Sequence, residues 1–109
     1  MAVKVFWTDF AKQQLRNIFD YYKLKASLKI ARNLVSGIAE KTNTLDFQKE
    51  IGQKEELLLE RKENFRYLIY KNYKIIYWFN EKKNRIEIND VFDVRQNPIK
   101  MTDENRDKK

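Results

Sequence analysis

Two alternating, aromatic-rich runs joined by only two residues constrain the fold more than any other feature of this chain. The runs cover Phe65 to Tyr70 and Tyr73 to Asn80, and Lys71-Asn72 connects them. A two-residue connection between β-type segments is typical of a tight antiparallel hairpin. A second turn at Lys83-Asn84 leads into a third run, Arg85 to Asp93. The sequence therefore predicts three consecutive strands.

Two amphipathic helices are predicted before these strands, after a first strand from Val3 to Trp7. Thr8 supplies an N-cap, and apolar residues at helical spacing follow as far as Leu24. A second helix begins near Ser27, and the short link makes the pair a helical hairpin. Gly37 lies inside the second helix, where we expect it to let the two helices approach closely.

The remaining segments give weaker signals. Between Asp46 and Asn64, Glu50-Ile51-Gly52 resembles a turn and Leu57-Leu58-Leu59 is apolar, so we predict a loop with a short strand. Residues 101–109 are almost wholly polar, and we expect a single domain over 1–100 followed by a frayed tail. Together the segments predict an α+β fold of order β-α-α-β-β-β. In this fold the helical hairpin packs on one face of a small, mainly antiparallel sheet.

The hairpin turn also fixes which side chains share a face of the sheet. If Tyr70 pairs with Tyr73, one face carries Arg66, Leu68, Tyr70, Tyr73, Ile75 and Tyr77, and the other Phe65, Tyr67, Ile69, Lys74, Ile76 and Trp78. A single helical hairpin covers only one face, and we assign it to the first. We predict an apolar, basic-edged binding groove on the second, formed by Tyr67, Ile76, Trp78 and Asp93. In the alternative interpretation, the segment Ile99-Lys100-Met101 covers that face.

Composition excludes several kinds of chemistry. The 109-residue chain contains neither cysteine nor histidine, which rules out disulfides, thiolate nucleophiles, Cys/His zinc sites and Ser-His-Asp catalysis. We expect no metal and no cofactor. The formal charge of +7 favours a polyanion or an acidic protein as partner. No stretch approaches the ~18 apolar residues of a membrane span, and no signal-peptide pattern follows Met1, so we expect a cytoplasmic protein with no membrane contact.

Arg95 is the residue that points most directly to a function. The last strand runs into it, and the polar turn that follows is closed by Pro98, the only proline of the chain. A guanidinium at the end of a sheet suits phosphate better than any other side chain in this sequence. We expect Arg95 to lean over the groove on the second face.

The sequence resembles the RelE/ParE superfamily of bacterial type II toxins over nearly its whole length. The N-terminal signature is present as Trp7-Thr8, Ala11, Leu15, Ile18 and Tyr21. The later pattern is present as Phe65-Arg66-x-Leu68, Tyr73-Lys74-Ile75-Ile76-Tyr77, Ile86-x-Ile88 and Val91-Phe92-x-x-Arg95-x-x-Pro98. The resemblance implies a growth-inhibiting, plasmid-stabilising toxin that is neutralised by a cognate antitoxin in a hetero-oligomer.

The resemblance also implies two kinds of target. Some members cut messenger RNA within the ribosome, and others poison DNA gyrase. In the cutting members, basic residues on the middle strands and an arginine after the last strand surround the scissile phosphate, and Lys74 and Arg95 match those positions. Arg66 matches a further frequent arginine, but its face assignment makes it a structural, ion-pairing residue.

The chain differs from the cutting members at the positions that supply the general acid and the general base. Asp93 stands about where some members carry a catalytic histidine, and no tyrosine follows Tyr77, although other members use a tyrosine beyond the last strand. The paired lysines of the first hairpin strand are also missing. Lys74 or Asp93 could act as a base and Arg95 could stabilise charge, but no convincing general acid is left.

Three hypotheses follow. The first is a ParE-like toxin that inhibits DNA gyrase, which the missing acid and base favour. The second is a RelE-like, metal-independent endoribonuclease that cuts messenger RNA on the ribosome, with Arg95 and Lys74 as catalytic residues. The third is a non-toxic orphan domain of the same fold that binds RNA. The basic surface and the second face predict an antitoxin with an acidic amphipathic segment.

Overall fold

The computed structural model describes residues 3–46, 52–54 and 64–95. These residues contain the helices α1 (Asp9–Lys25) and α2 (Leu28–Asn43), followed by a 3₁₀ turn over Thr44–Asp46. The strands are β1 (Lys4–Trp7), β2 (Gln53–Lys54), β3 (Arg66–Tyr70), β4 (Tyr73–Asn80) and β5 (Arg85–Asp93). They form one sheet in the order β1-β5-β4-β3-β2, in which β1 runs parallel to β5 and the other neighbours are antiparallel. The predicted α+β fold is confirmed. The two-residue β2 lies at the edge beside β3, in the segment for which a loop with a short strand was predicted.

The β3–β4 hairpin has the predicted register. Tyr70 pairs with Tyr73, and Lys71 in the turn has a φ of 54°. The turn between β4 and β5 contains a second left-handed residue, Asn84, with a φ of 50°. Asparagine tolerates this region better than most side chains do, which explains why the chain reverses there.

The two faces of the sheet have the predicted assignment on β3 and β4. The face that packs against the helices, here called the helix face, carries Leu68, Tyr73, Ile75 and Tyr77. The opposite or outer face carries a second cluster, formed by Phe65, Tyr67, Ile76 and Trp78 together with Phe92 of β5. The main core therefore lies between the helical hairpin and the helix face.

A β-bulge interrupts the alternation of β5. The register moves from Asp90 opposite Ile76 to Ile88 opposite Tyr77, which leaves Asn89 as the extra residue. A bulge of this kind re-aims every side chain that follows it. As a result, Ile86, Ile88 and Val91 all lie on the helix face although their spacing changes from two to three.

Side-chain caps begin both helices at the predicted positions. The Thr8 hydroxyl accepts a hydrogen bond from the backbone N–H of Ala11 at 3.1 Å and donates one to the carbonyl of Ile88 at 3.0 Å. The Ser27 hydroxyl accepts from the N–H of Ile30 at 3.1 Å. Each cap satisfies a backbone donor that the first helical turn leaves without an intrahelical partner. The Thr8 cap also fixes the start of α1 to β5.

Gly37 has a different neighbour from the one predicted. A Cβ at this position would overlap the ring end of Tyr70, which lies against α2. The prediction that Gly37 lets the two helices approach closely is therefore wrong. The missing side chain makes room for an aromatic ring from β3 instead.

Several predictions fall outside the described residues. They concern the apolar run Leu57-Leu58-Leu59, the covering of the outer face by Ile99-Lys100-Met101, and the tail at 101–109. The domain boundary at residue 100 also stays a prediction. In the described part of the chain, neither helix is long and apolar enough to cross a membrane.

Candidate functional site

The structure divides the predicted site residues between the two faces of the sheet. The outer face holds Tyr67, Lys74, Ile76 and Trp78. Asp93 pairs across the strands with Tyr73, which lies on the helix face, and Arg95 is bound to Asp93. Asp93 and Arg95 therefore lie on the α1 side of the sheet, away from Lys74.

The bulge in β5 is the physical reason for this division. Strict alternation from Glu87, which pairs with the outer-face residue Trp78, would place Asp93 on the outer face as well. The extra residue Asn89 reverses the alternation, so Asp93 faces the helices. Arg95, which is bound to Asp93, therefore lies on the helix side and not over the outer face, where it was expected.

The described residues of the outer face form a packed aromatic cluster. Ile76 is 0% exposed and Phe65 is 4% exposed, because neighbouring aromatic rings pack against them. The Lys74 ammonium lies 4.2 Å from the centre of the Tyr67 ring, a cation–π contact. Tyr67 and Trp78 are only half-buried, and their role in binding stays a prediction.

Arg95 makes a bidentate ion pair with Asp93 at the exit from β5. The guanidinium donates from Nη2 to one carboxylate oxygen at 2.8 Å and from Nε to the other at 3.1 Å. The backbone N–H of Arg95 donates to the same carboxylate at 2.8 Å. The next strand-end contact, from the Val94 N–H to the Asn72 carbonyl at 2.8 Å, joins this turn to the β3–β4 hairpin. Asp93 is thus held in place, with a side chain 12% exposed, while 67% of the Arg95 side chain is exposed.

Asp93, Arg95 and the neighbouring Tyr73 each keep one protonation state around neutral pH. The hydrogen bond from Arg95 lowers the pKa of Asp93 to about 2, and the same pair raises the pKa of Arg95. Burial raises the pKa of Tyr73, whose hydroxyl donates to that of Tyr22 at 3.4 Å. Asp93, Arg95 and Tyr73 therefore do not exchange protons near pH 7, as a general acid or base should.

A polar cavity of about 370 Å³ lies between α1 and the end of β5. Its lining includes Gln14, Asn17, Tyr21, Tyr22, Tyr73, Asp93 and Arg95. The Gln14 amide also donates to the buried Asp90 carboxylate at 3.2 Å, next to the bulge. No sequence signal indicates the contact between the hydroxyls of Tyr22 and Tyr73, because the two residues are 51 positions apart. In the part of the chain that the structure describes, no three acidic side chains come together as metal ligands.

Arg66 supports the sheet edge. Its Nη1 donates to the Gly52 carbonyl at 2.9 Å, and the Gly52 N–H donates to the buried Tyr77 hydroxyl at 2.9 Å. These two bonds tie the start of β2 to β3 and β4. They support the predicted structural role of Arg66.

A larger groove of about 910 Å³ runs beside β1 and the helices. Its apolar lining includes Val5, Trp7, Leu15, Phe19 and Val35, and charged residues at its rim are Asp9, Lys12 and Arg16. The groove therefore combines an apolar floor with a mainly basic rim.

Comparisons with known proteins identify relatives of this chain. A family model described as the ParE toxin of the type II toxin–antitoxin system parDE matches residues 5–98. The structure is similar to that of a chain in the chromosomal ParDE toxin–antitoxin system from P. aeruginosa, with a TM-score of 0.70 and 20% identity over 85% of this chain and 97% of that one. It is also similar to a chain of the RelBE2 toxin–antitoxin complex from Mycobacterium tuberculosis, with a TM-score of 0.58 and 14% identity over 85% of this chain and 92% of that one. A search of curated proteins found no match.

The two structural similarities establish the fold, and the family model covers most of the sequence. These matches confirm the resemblance carried by the N-terminal signature and the strand pattern. The chain belongs to the ParE toxin family of type II toxin–antitoxin systems.

Proposed function

We propose that this toxin inhibits DNA gyrase by binding it, without a catalytic step of its own. The observation that carries this proposal is the separation of Lys74 from Arg95 by the sheet. Two cationic groups on opposite faces do not surround one scissile phosphate. The pairing of Arg95 with Asp93 supports the same conclusion, because the carboxylate neutralises the guanidinium and opposes phosphate electrostatically.

The protonation states also support binding over cleavage. Metal-free cleavage of RNA needs a base for the 2′-hydroxyl and an acid for the leaving oxygen. With its pKa lowered to about 2, Asp93 is a weak base and no acid at neutral pH. Lys74 lies against the Tyr67 ring, with its ammonium 4.2 Å from the ring centre, on the face of the sheet opposite to Arg95.

A ribosome-dependent endoribonuclease is the second candidate. The formal charge of +7 favours it, since a basic protein is attracted to ribosomal RNA, and the fold is shared with a chain of a RelBE2 complex. In that case Arg95 would be the residue nearest to the phosphate, and opening of its pair with Asp93 would precede binding.

A supercoiling assay with purified gyrase and a primer-extension assay with programmed ribosomes separate the two candidates. We expect the chain to block supercoiling and to leave the message intact. Arg95→Ala serves as the test variant, and Arg85→Ala is its matched control, because Arg85 is also paired with a carboxylate, Glu87 at 2.9 Å, at the far end of β5. Cuts at the ribosomal A site that Arg95→Ala abolishes and Arg85→Ala retains would contradict the gyrase proposal.

We also propose that the antitoxin partner contributes an acidic amphipathic segment. The groove beside β1 supports this, because its apolar floor fits the apolar face of such a segment and Lys12 and Arg16 fit its acidic face. Lys12→Glu and Arg16→Glu together should weaken the toxin–antitoxin complex, as measured by calorimetry at two salt concentrations. An unchanged affinity would show that the antitoxin segment does not bind in this groove.

A further inference from the structure

The turn between α1 and α2 concentrates exposed apolar side chains. Six large hydrophobic residues are exposed in the described part of the chain, and four of them lie within ten residues: Tyr21, Leu24, Leu28 and Ile30. Leu24 is 85% exposed and Tyr21 is 55% exposed. A single exposed leucine is ordinary, but a cluster of this kind marks an interaction surface.

Hydrogen bonds hold the backbone that presents these side chains. The N–H of Ala26 donates to the Tyr22 carbonyl at 2.8 Å and closes α1, and the Ser27 hydroxyl caps α2. The hydroxyl contact between Tyr22 and Tyr73 fixes this end of α1 to the sheet. The backbone that carries Leu24 and Leu28 is therefore ordered by its own hydrogen bonds before any partner binds, which lowers the entropy cost of binding.

The same turn is strongly basic. Four exposed cations, Lys23, Lys25, Lys29 and Arg32, stand against one exposed carboxylate, Asp20. The segment from Asp20 to Arg32 thus carries a net charge of +3, out of the formal charge of +7 of the whole chain. Lysines in the last turn of α1 also complement its dipole, but the lysine and arginine of α2 have no such role at its N-terminal end.

Arg95 extends this surface. It lines the polar cavity together with Tyr21, which lies one helical turn before Leu24. We define the helix-tip surface as Tyr21, Leu24, Leu28 and Arg95 with the surrounding lysines. Tyrosine and arginine are the residue types that most often dominate the energy of protein interfaces.

We propose that the helix-tip surface docks into an apolar pocket with an acidic rim on the target protein, which under the proposed function is DNA gyrase. The inference rests on that function for the identity of the target. Leu24 and Leu28 favour a protein partner over a nucleic acid. Proteins bind bases by aromatic stacking and bind the backbone with cations, and an aliphatic side chain provides neither contact. The cations around them match the acidic rim.

The test measures the affinity of the full-length chain for purified gyrase by surface plasmon resonance. Leu24→Ser removes the most exposed apolar side chain, and Ile69→Ser is its matched control, since Ile69 is 45% exposed on β3. Lys25→Glu reverses a charge at the tip, and Lys82→Glu reverses an exposed one in the β4–β5 turn. We expect each tip variant to bind about tenfold more weakly and each control to bind like the wild type. Urea unfolding midpoints establish that all four variants are folded.

The outcomes distinguish this inference from the proposed function. If the wild-type chain binds and inhibits gyrase and both tip variants bind as tightly as their controls, the docking surface is wrong and the function stands. If the wild-type chain neither binds nor inhibits gyrase, both proposals fall. A labelled single-stranded RNA is measured in parallel. If Lys25→Glu weakens RNA binding and leaves gyrase binding unchanged, the cations serve nucleic acid and the docking proposal is overturned.

Discussion

Replacing Gly52 with alanine should destabilise the fold more than its position at the sheet edge suggests. A Cβ there would lie 2.5 Å from the carbonyl oxygen of Tyr67 and 2.6 Å from the hydroxyl of Tyr77, where ordinary contacts begin at 3.4 Å. The alanine must therefore move by about 0.9 Å. One neighbour is the backbone of β3 and the other is fully buried, so neither can rotate away.

The movement breaks two hydrogen bonds. The Gly52 N–H would leave the Tyr77 hydroxyl, and the Gly52 carbonyl would leave the Arg66 guanidinium, both now at 2.9 Å. A buried donor left unsatisfied costs ~1–3 kcal/mol, and a bond to a charged group contributes ~1.5–3 kcal/mol. Because the chain relaxes in part, we expect the free energy of unfolding to fall by about 2–4 kcal/mol.

Urea denaturation followed by tryptophan fluorescence measures this loss as a shift of the midpoint. Gly37→Ala is the control, because the atoms nearest to its methyl group belong to the ring end of the half-buried Tyr70. That side chain can turn aside, and the helix gains ~1 kcal/mol in propensity. A Gly52→Ala variant within about 0.5 kcal/mol of the wild type, or less destabilised than Gly37→Ala, would refute the steric argument.

Two further changes test the helix start and the ion pair. Thr8→Ala removes both the N-cap of α1 and the bond to the Ile88 carbonyl, so it should cost ~1–2 kcal/mol of unfolding free energy in the same assay. A loss under about 0.5 kcal/mol would show that water replaces the cap. Asp93→Asn tests the pH dependence of stability. Arg95 lowers the pKa of Asp93 in the folded chain to about 2, below the value of ~3.9 in the unfolded chain. The stabilisation that Asp93 contributes is therefore present above pH ~4 and disappears as the pH falls towards 2. The variant should be less stable than the wild type at pH 7, the two should converge near pH 2, and a gap that is independent of pH would contradict the assignment.

The elements that the sequence predicted well are those governed by local rules. The Lys71-Asn72 turn fixes the register of β3 and β4, and the period of two then gives the faces of both strands. Thr8 and Ser27 begin the helices because a hydroxyl at that position satisfies backbone donors wherever the helix finally packs. These features depend on neighbours within a few residues, so a single sequence contains them.

The elements that were missed depend on contacts between distant segments. Period-two reasoning continued through β5, yet the apolar spacing changes from two at Ile86 and Ile88 to three at Val91, which was an available sign of the bulge. That one residue moves Asp93 and Arg95 to the helix side. The burial of Ile76 and the meeting of Gly37 with Tyr70 leave no comparable sign, because they are decided by how rings from separate strands fill space.

The parallel pairing of β1 with β5 has a consequence for synthesis. Lys4 pairs with Arg85 and Trp7 with Ile88, so the first strand must wait for the last one before it gains a partner. The Thr8 cap joins residues 80 positions apart, since its hydroxyl donates to the Ile88 carbonyl. Contacts so distant in sequence form late and slowly. On the ribosome, the chain therefore cannot complete its sheet until β5 has emerged, and β1 stays without its sheet partner for almost the whole of synthesis.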